Sequence, residues 1–150
     1  MSDTFDLHLP DTAATERLGQ TLARALRPGD AVCLWGPLGA GKSTLARGLI
    51  RALTGPDEEV PSPTFTLVQL YEAAFPIAHF DLYRLERARE AEELGLDDAL
   101  EDGAVLIEWP ERLEGRLPLD RLDIEIAIDA EGRRARLTPH GAWEGRPLEF

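Results

Sequence analysis

The residues most able to do chemistry lie in Gly36-Pro37-Leu38-Gly39-Ala40-Gly41-Lys42-Ser43-Thr44, a glycine, four residues, then Gly-Lys-Ser. This is the P-loop pattern. Glycines let consecutive N–H groups turn inward as an anion nest at the positive end of a helix. Gly39 and Gly41 fall where a side chain would block the required conformation or approach. Lys42, the only lysine in the chain, is placed to reach β- and γ-phosphates, and the Ser43 hydroxyl to hold Mg²⁺. The plainer reading of the same residues is a glycine-rich turn between strand and helix.

Two carboxylates complete the candidate set. Ala104-Val105-Leu106-Ile107-Glu108-Trp109-Pro110 has the form of a Walker B strand, with Glu108 at the carboxyl end, where open α/β sheets bind ligands. Trp109 and Pro110 either shape the pocket rim or pack. Asp81 lies in His79-Phe80-Asp81-Leu82-Tyr83-Arg84. On strand alternation His79, Asp81 and Tyr83 share one face, and Phe80 and Leu82 the other. A mid-strand acid is costly if buried alone. A metal or a positioned water would give it a partner, and an Asp81–Arg84 ion pair would do so equally well. Thr64 emerges from Val60-Pro61-Ser62-Pro63-Thr64-Phe65, a loop stiffened by two prolines. It is either a sensor of Mg²⁺ and γ-phosphate, as in nucleotide switches, or an ordinary loop threonine.

These residues need elements to position them. Ala31–Trp35 is an apolar run that reads as a buried strand, and Thr44–Leu53 has helical spacing with Leu45, Leu49, Ala52 and Leu53 on one stripe. Strand, glycine loop and helix is the context the P-loop requires. Upstream, Phe5, Leu7 and Leu9 alternate as an edge strand with His8 facing outward. Ala14, Leu18, Leu22, Ala25 and Leu26 mark a helix capped by Asp11 or Thr12 and ended at Pro28-Gly29. Phe65–Tyr71 and Ile77–Tyr83 read as an antiparallel hairpin. Leu85–Leu94 reads as a charged helix stopped at Gly95, followed by a short helix through Asp98-Ala99-Leu100. Leu122–Ile128 alternates as a strand with one wet face, turns at Glu131-Gly132, and pairs back through Arg133–Leu137. Arg133, Arg134 and Arg136 read as a solvated edge, with contact to phosphate or an acidic partner as the lesser option. The packing of 139–150, with His140, Trp143 and Phe150, stays open.

A chain of 150 residues with 43% hydrophobic content reads as a single soluble domain. Cys33, the only cysteine, has no partner in the chain and reads as a small buried hydrophobe in a reducing cytoplasm. With no leader and no long apolar run, secretion and membrane spanning are not expected. A net charge of −12 argues against a broad electrostatic grip on nucleic acid, although a nest built from backbone is compatible with it. Half of that charge falls between Glu86 and Asp102, with eight acids and two arginines. A solvated helical face is the simpler account, and docking of a basic partner the sharper one.

Four segments in one order, Gly36–Thr44, Ser62–Phe65, His79–Leu85 and Leu106–Pro110, resemble the TsaE family, small bacterial P-loop ATPases of tRNA threonylcarbamoyladenosine biosynthesis. The likeness runs from about Pro10 to the hairpin near Leu137. It implies an α/β fold, a P-loop NTPase-like mixed β-sheet with helices on both faces. It implies ATP and Mg²⁺ as ligands, with the glycine loop (Gly36, Leu38, Gly39, Ala40, Gly41, Lys42, Ser43, Thr44) around the phosphates. Lys42 and Ser43 match the phosphate lysine and the Mg²⁺ hydroxyl. Thr64 falls in the first switch-like loop, Asp81 at the catalytic aspartate, Glu108 at the second Mg²⁺-associated position, and Trp109 beside the nucleotide. Thr12 lies near the amino-terminal segment that helps hold the nucleotide. Members act with TsaD and TsaB, where ATP binding and hydrolysis support adenosine-37 modification without performing the carbamoyl transfer. The likeness leaves direct tRNA contact open. Pro37 stands where the family has aspartate, and Ser43 where it has threonine.

Two other readings compete. A small-molecule P-loop kinase would need an acceptor pocket and an arginine lid, for which Arg84, Arg87 and Arg89 are the candidates. A non-catalytic nucleotide-binding adaptor would need neither carboxylate for turnover. ATP is favoured over GTP, because the chain has no asparagine and so cannot carry the Asn-Lys-x-Asp guanine motif.

Overall fold

Apolar runs and alternations build one seven-stranded sheet. The computed structural model describes residues 4–61 and 67–150. In chain order the elements are β1 (Phe5–Leu9), α1 (Thr12–Ala25), β2 (Ala31–Trp35), α2 (Lys42–Thr54), β3 (Val68–Glu72), β4 (Pro76–Asp81), α3 (Glu90–Glu93), α4 (Leu96–Asp102), β5 (Ala104–Glu108), β6 (Arg121–Asp129) and β7 (Gly132–Pro139). Short 3₁₀ turns follow at Pro110–Leu113 and Gly141–Trp143. The strand order is β1-β7-β6-β2-β5-β4-β3. β6, β2, β5 and β4 run parallel in the centre. β3 pairs antiparallel outside β4, while β7 and then β1 pair antiparallel outside β6.

β2 and β5 are continuous apolar runs because both of their faces are covered. Val32, Leu34, Leu106 and Ile124 face α1 and α2. Ala31, Cys33, Val105, Ile107 and Phe80 face the side of α4 and the Pro110–Leu113 turn. Burial pushes the Cys33 thiol far up, with Asp123 adding to the shift, so it packs as an inert hydrophobe.

α1 and α2 touch backbone to backbone. A Cβ on Gly19 would come within 2.4 Å of the Leu45 carbonyl, and one on Gly48 within 2.5 Å of the Glu16 carbonyl. This contact holds α2, and with it the P-loop, against the first helix. Asp11 caps α1 by accepting from the Ala14 N–H at 2.8 Å.

Some boundaries differ from expectation. α2 begins at Lys42, two residues before the expected start at Thr44, because Gly41 at φ 111° turns the chain directly into the helix. β4 stops at Asp81, so Tyr83 leaves the sheet and is exposed. The charged helix predicted over Leu85–Leu94 is one turn, Glu90–Glu93. The Glu90 carboxylate accepts from the Arg87 N–H at 3.1 Å and so favours a turn before it. The Ser62–Phe65 segment, and with it Thr64, lies outside the described residues. In 139–150, Trp143 is fully buried, and Arg146 forms a two-pronged ion pair with Asp30 at 2.6 and 3.2 Å.

Candidate nucleotide site

The parallel strands end on one edge, where the chemistry collects. Gly36 follows β2 at φ 145°, with its Cα so close to β6 that a Cβ would meet the Ile126 carbonyl at 2.5 Å. The loop turns on itself where the Ala40 N–H donates to the Pro37 carbonyl at 3.2 Å. Proline at 37 costs this turn nothing, since only its carbonyl is used.

Lys42, on the first turn of α2, is 5% exposed. Its ammonium donates to the Gly36 carbonyl and stands 3.4 Å from the centroid of the Trp109 ring. Burial pushes its pKa below the ordinary lysine value, and Glu108, Glu111 and Asp81 oppose that shift. Trp109 is at φ 63°, a conformation a bulky residue adopts only under constraint. In this conformation its ring lies over Lys42 and against Tyr83, with the two ring centroids 4.9 Å apart.

The two carboxylates are neighbours. β4 and β5 pair in parallel with Asp81 opposite Glu108. Both are nearly buried, at 6% and 2% exposed. The Ser43 hydroxyl donates to Glu108, lying 3.0 and 3.3 Å from its two oxygens. On the other side His79 Nε2 lies 2.6 Å from Glu108 Oε2. Against an ionised carboxylate, which only accepts, Nε2 is the donor of this contact. His79 Nδ1 is buried and has no partner among the described residues. Asp81 accepts from the Tyr83 N–H at 3.1 Å.

A cavity of about 260 Å³ is lined by Leu38, Gly39, Gly41, Lys42, Ser43, Thr44, Asp81, Glu108 and Trp109. A second of about 200 Å³ lies across the loop, lined by Pro10, Asp11, Thr12, Thr15, Ala40 and Arg133, and it shares Gly39, Gly41 and Thr44. The candidate residues described are thus gathered around one stretch of backbone, with Gly36 behind it, where it anchors Lys42. A larger hollow of about 640 Å³, lined by Glu16, Arg24, Arg47 and Arg51, lies on the outer side of α1 and α2 and contains none of the P-loop donors. His79 and Arg133 were not singled out by sequence as site residues. Alternation places His79 with Asp81, but nothing in one strand's pattern pairs it with a carboxylate 29 residues on.

Ser43 and the carboxylates offer only oxygen donors, which suits a hard divalent cation. Among the described residues no three His, Cys, Asp or Glu side chains form a metal cage. A cation here would therefore draw on ligand phosphates and water, as Mg²⁺ does.

The family model described as Threonylcarbamoyl adenosine biosynthesis protein TsaE matches residues 9–136. The chain belongs to the TsaE family. A tRNA threonylcarbamoyladenosine biosynthesis protein TsaE of Rickettsia felis is 38% identical over 85% of this chain and 75% of its own length. That of Bacillus subtilis is 40% identical over 80% and 75%, and that of Synechocystis is 44% identical over 74% and 73%. The crystal structure of Bacillus subtilis YdiB superposes with a TM-score of 0.79 at 30% identity, covering 94% of this chain and 88% of that one. The TsaE assignment agrees with the fold described above, a mixed sheet with helices on both faces. Among the described residues no helix is long and apolar enough to cross a membrane.

Proposed function

We propose that this TsaE-family chain binds ATP with Mg²⁺ at the P-loop edge and hydrolyses it slowly, as the cytoplasmic nucleotide-dependent switch of the t⁶A37 tRNA modification machinery, with TsaD and TsaB as its partners. The observation that carries the reading is the adjacency of Ser43, Glu108 and Asp81 at the carboxyl end of the parallel strands, beside Lys42 and the helix N-terminus. The loop amides and Lys42 take up phosphate charge. Bound Mg²⁺ would be held by Ser43 and associated with Glu108, and would neutralise charge on the transferred group. Asp81 or Glu108 orients water for in-line attack on the γ-phosphorus. The bond to the bridging oxygen breaks, and ADP and phosphate leave. His79 holds the Glu108 carboxylate on the side opposite Ser43.

Lys42 is the only cation among the described residues lining this cavity. An arginine finger is worth about 10³–10⁵ in rate, so turnover by the isolated chain is slow. Phosphate release from ATP with no acceptor present is the test. Wild type releases phosphate slowly, while Glu108→Gln and Asp81→Asn fall by roughly a hundredfold or more. Transfer of the phosphate to an added small molecule would favour a kinase, and equal rates for wild type and Glu108→Gln would favour a non-catalytic adaptor.

A further inference from the structure

Three arginines follow the β6–β7 turn, and the structure separates them. Arg134 and Arg136 stay largely exposed beside Asp129 and Asp6, at 3.9 and 3.4 Å. Arg133 turns the other way, onto the P-loop. Its Nε donates to the Ala40 carbonyl at 3.1 Å, Nη2 to the Gly39 carbonyl at 3.1 Å, and Nη1 to the Gly132 carbonyl at 3.0 Å. It gets there because Gly132, at φ 130°, abuts the β1–α1 junction, where a Cβ would meet the Leu9 carbonyl at 2.5 Å and the Pro10 carbonyl at 2.9 Å.

The consequence is directional. Among the described residues no peptide is cis, and in a trans peptide the carbonyl of one residue and the N–H of the next point opposite ways. Holding the Gly39 and Ala40 carbonyls toward Arg133 turns the Ala40 and Gly41 N–H groups away from it. The Ala40 N–H closes the turn onto Pro37, and the Gly41 N–H is directed to the side opposite the guanidinium. Arg133 lines only the second cavity, whereas Lys42 lines the first. Lys42 in turn takes the Gly36 carbonyl. Two cations on opposite sides thus hold the Gly36, Gly39 and Ala40 carbonyls, and of the two amides that Arg133 orients, Ala40 closes the turn while Gly41 is the one turned to face an anion.

We propose that Arg133 is a positioning residue for phosphate binding, clamping the Gly39 and Ala40 carbonyls so that the loop amides are set before an anion arrives. The proposal deepens the nucleotide reading and rests on it for the identity of the anion. The clamp itself is a statement about backbone order.

Two measurements on wild type, Arg133→Ala and Arg133→Lys test it. In the nucleotide-free protein, amide hydrogen exchange over residues 38–43 quickens in Arg133→Ala, while the amides of β2 and β5 keep their protection. Lysine, a point charge able to hold one carbonyl, restores part of the effect. For MgADP the dissociation constant rises roughly tenfold to a hundredfold in Arg133→Ala, the scale of charged hydrogen bonds lost. KM for ATP rises with it and kcat stays near wild type, as expected when ground and transition states lose the same contact. Unchanged exchange over 38–43, or exchange that quickens equally throughout the sheet, overturns the clamp. Loosened exchange with an unchanged MgADP constant overturns its role in phosphate binding. If wild type binds no nucleotide, the functional reading fails, and the exchange comparison still decides the clamp.

Discussion

Buried charge gathers beside both ends of β2, with Asp30 just before it and Glu108 of β5 opposite Leu34, and the two ends solve the cost differently. At its amino end Asp30 meets Arg146 in a two-pronged pair, with Trp143 stacked at 4.3 Å from the guanidinium carbon. Asp30 also accepts from the Arg27 N–H at 2.7 Å. The guanidinium and carboxylate answer each other through both Nη atoms and both carboxylate oxygens, and only Arg146 Nε is left buried without a partner among the described residues. At the carboxyl end Glu108 and Asp81 sit side by side, and Lys42 is spent on a loop carbonyl and an aromatic face rather than on a carboxylate. That end keeps its charges around an opening. Burial alone therefore says little about function, and whether the partners close on one another says much more.

Mutations should separate the two ends. Removing one member of the closed pair, Asp30→Ala or Arg146→Ala, strands a buried charge and should cost about 3–5 kcal/mol of stability, read by denaturant unfolding. The loss should appear as a lower midpoint, with nucleotide affinity unchanged while the chain is folded. At the open end Glu108→Gln should lower turnover by roughly 10²–10³ with a much smaller change in unfolding midpoint. An equal loss of stability at both ends would erase the distinction. Between the ends, Gly48→Ala drives a Cβ against the Glu16 backbone and should cost about 1–3 kcal/mol, with a secondary loss of nucleotide affinity because α2 carries the loop. The smallest effect expected is that of Asp11→Ala, about 1 kcal/mol for a lost helix cap, seen in thermal unfolding.

The open end was largely legible in sequence. Lys42 and Ser43 are fixed by a local pattern, and Glu108 by ending an apolar strand. Asp81 stood out as an acid inside a strand, although the pattern alone left its partner undecided. What stayed hidden depends on register and on long separations. His79 acquires meaning only because β4 pairs with β5, and Arg133 only because the last hairpin returns to a loop 93 residues earlier. Arg146 likewise closes on Asp30 across 116 residues. The over-long helix at Leu85–Leu94 failed for a local reason, since its acids serve turns as readily as they serve a helix.

The central claim is that the P-loop edge cradles a magnesium nucleoside triphosphate. Calorimetric titration of MgATP into wild type and Lys42→Ala tests it most directly. Saturable heat with wild type that is lost or strongly reduced in Lys42→Ala is the predicted result. No heat with wild type, or equal affinity in the two proteins, would contradict it.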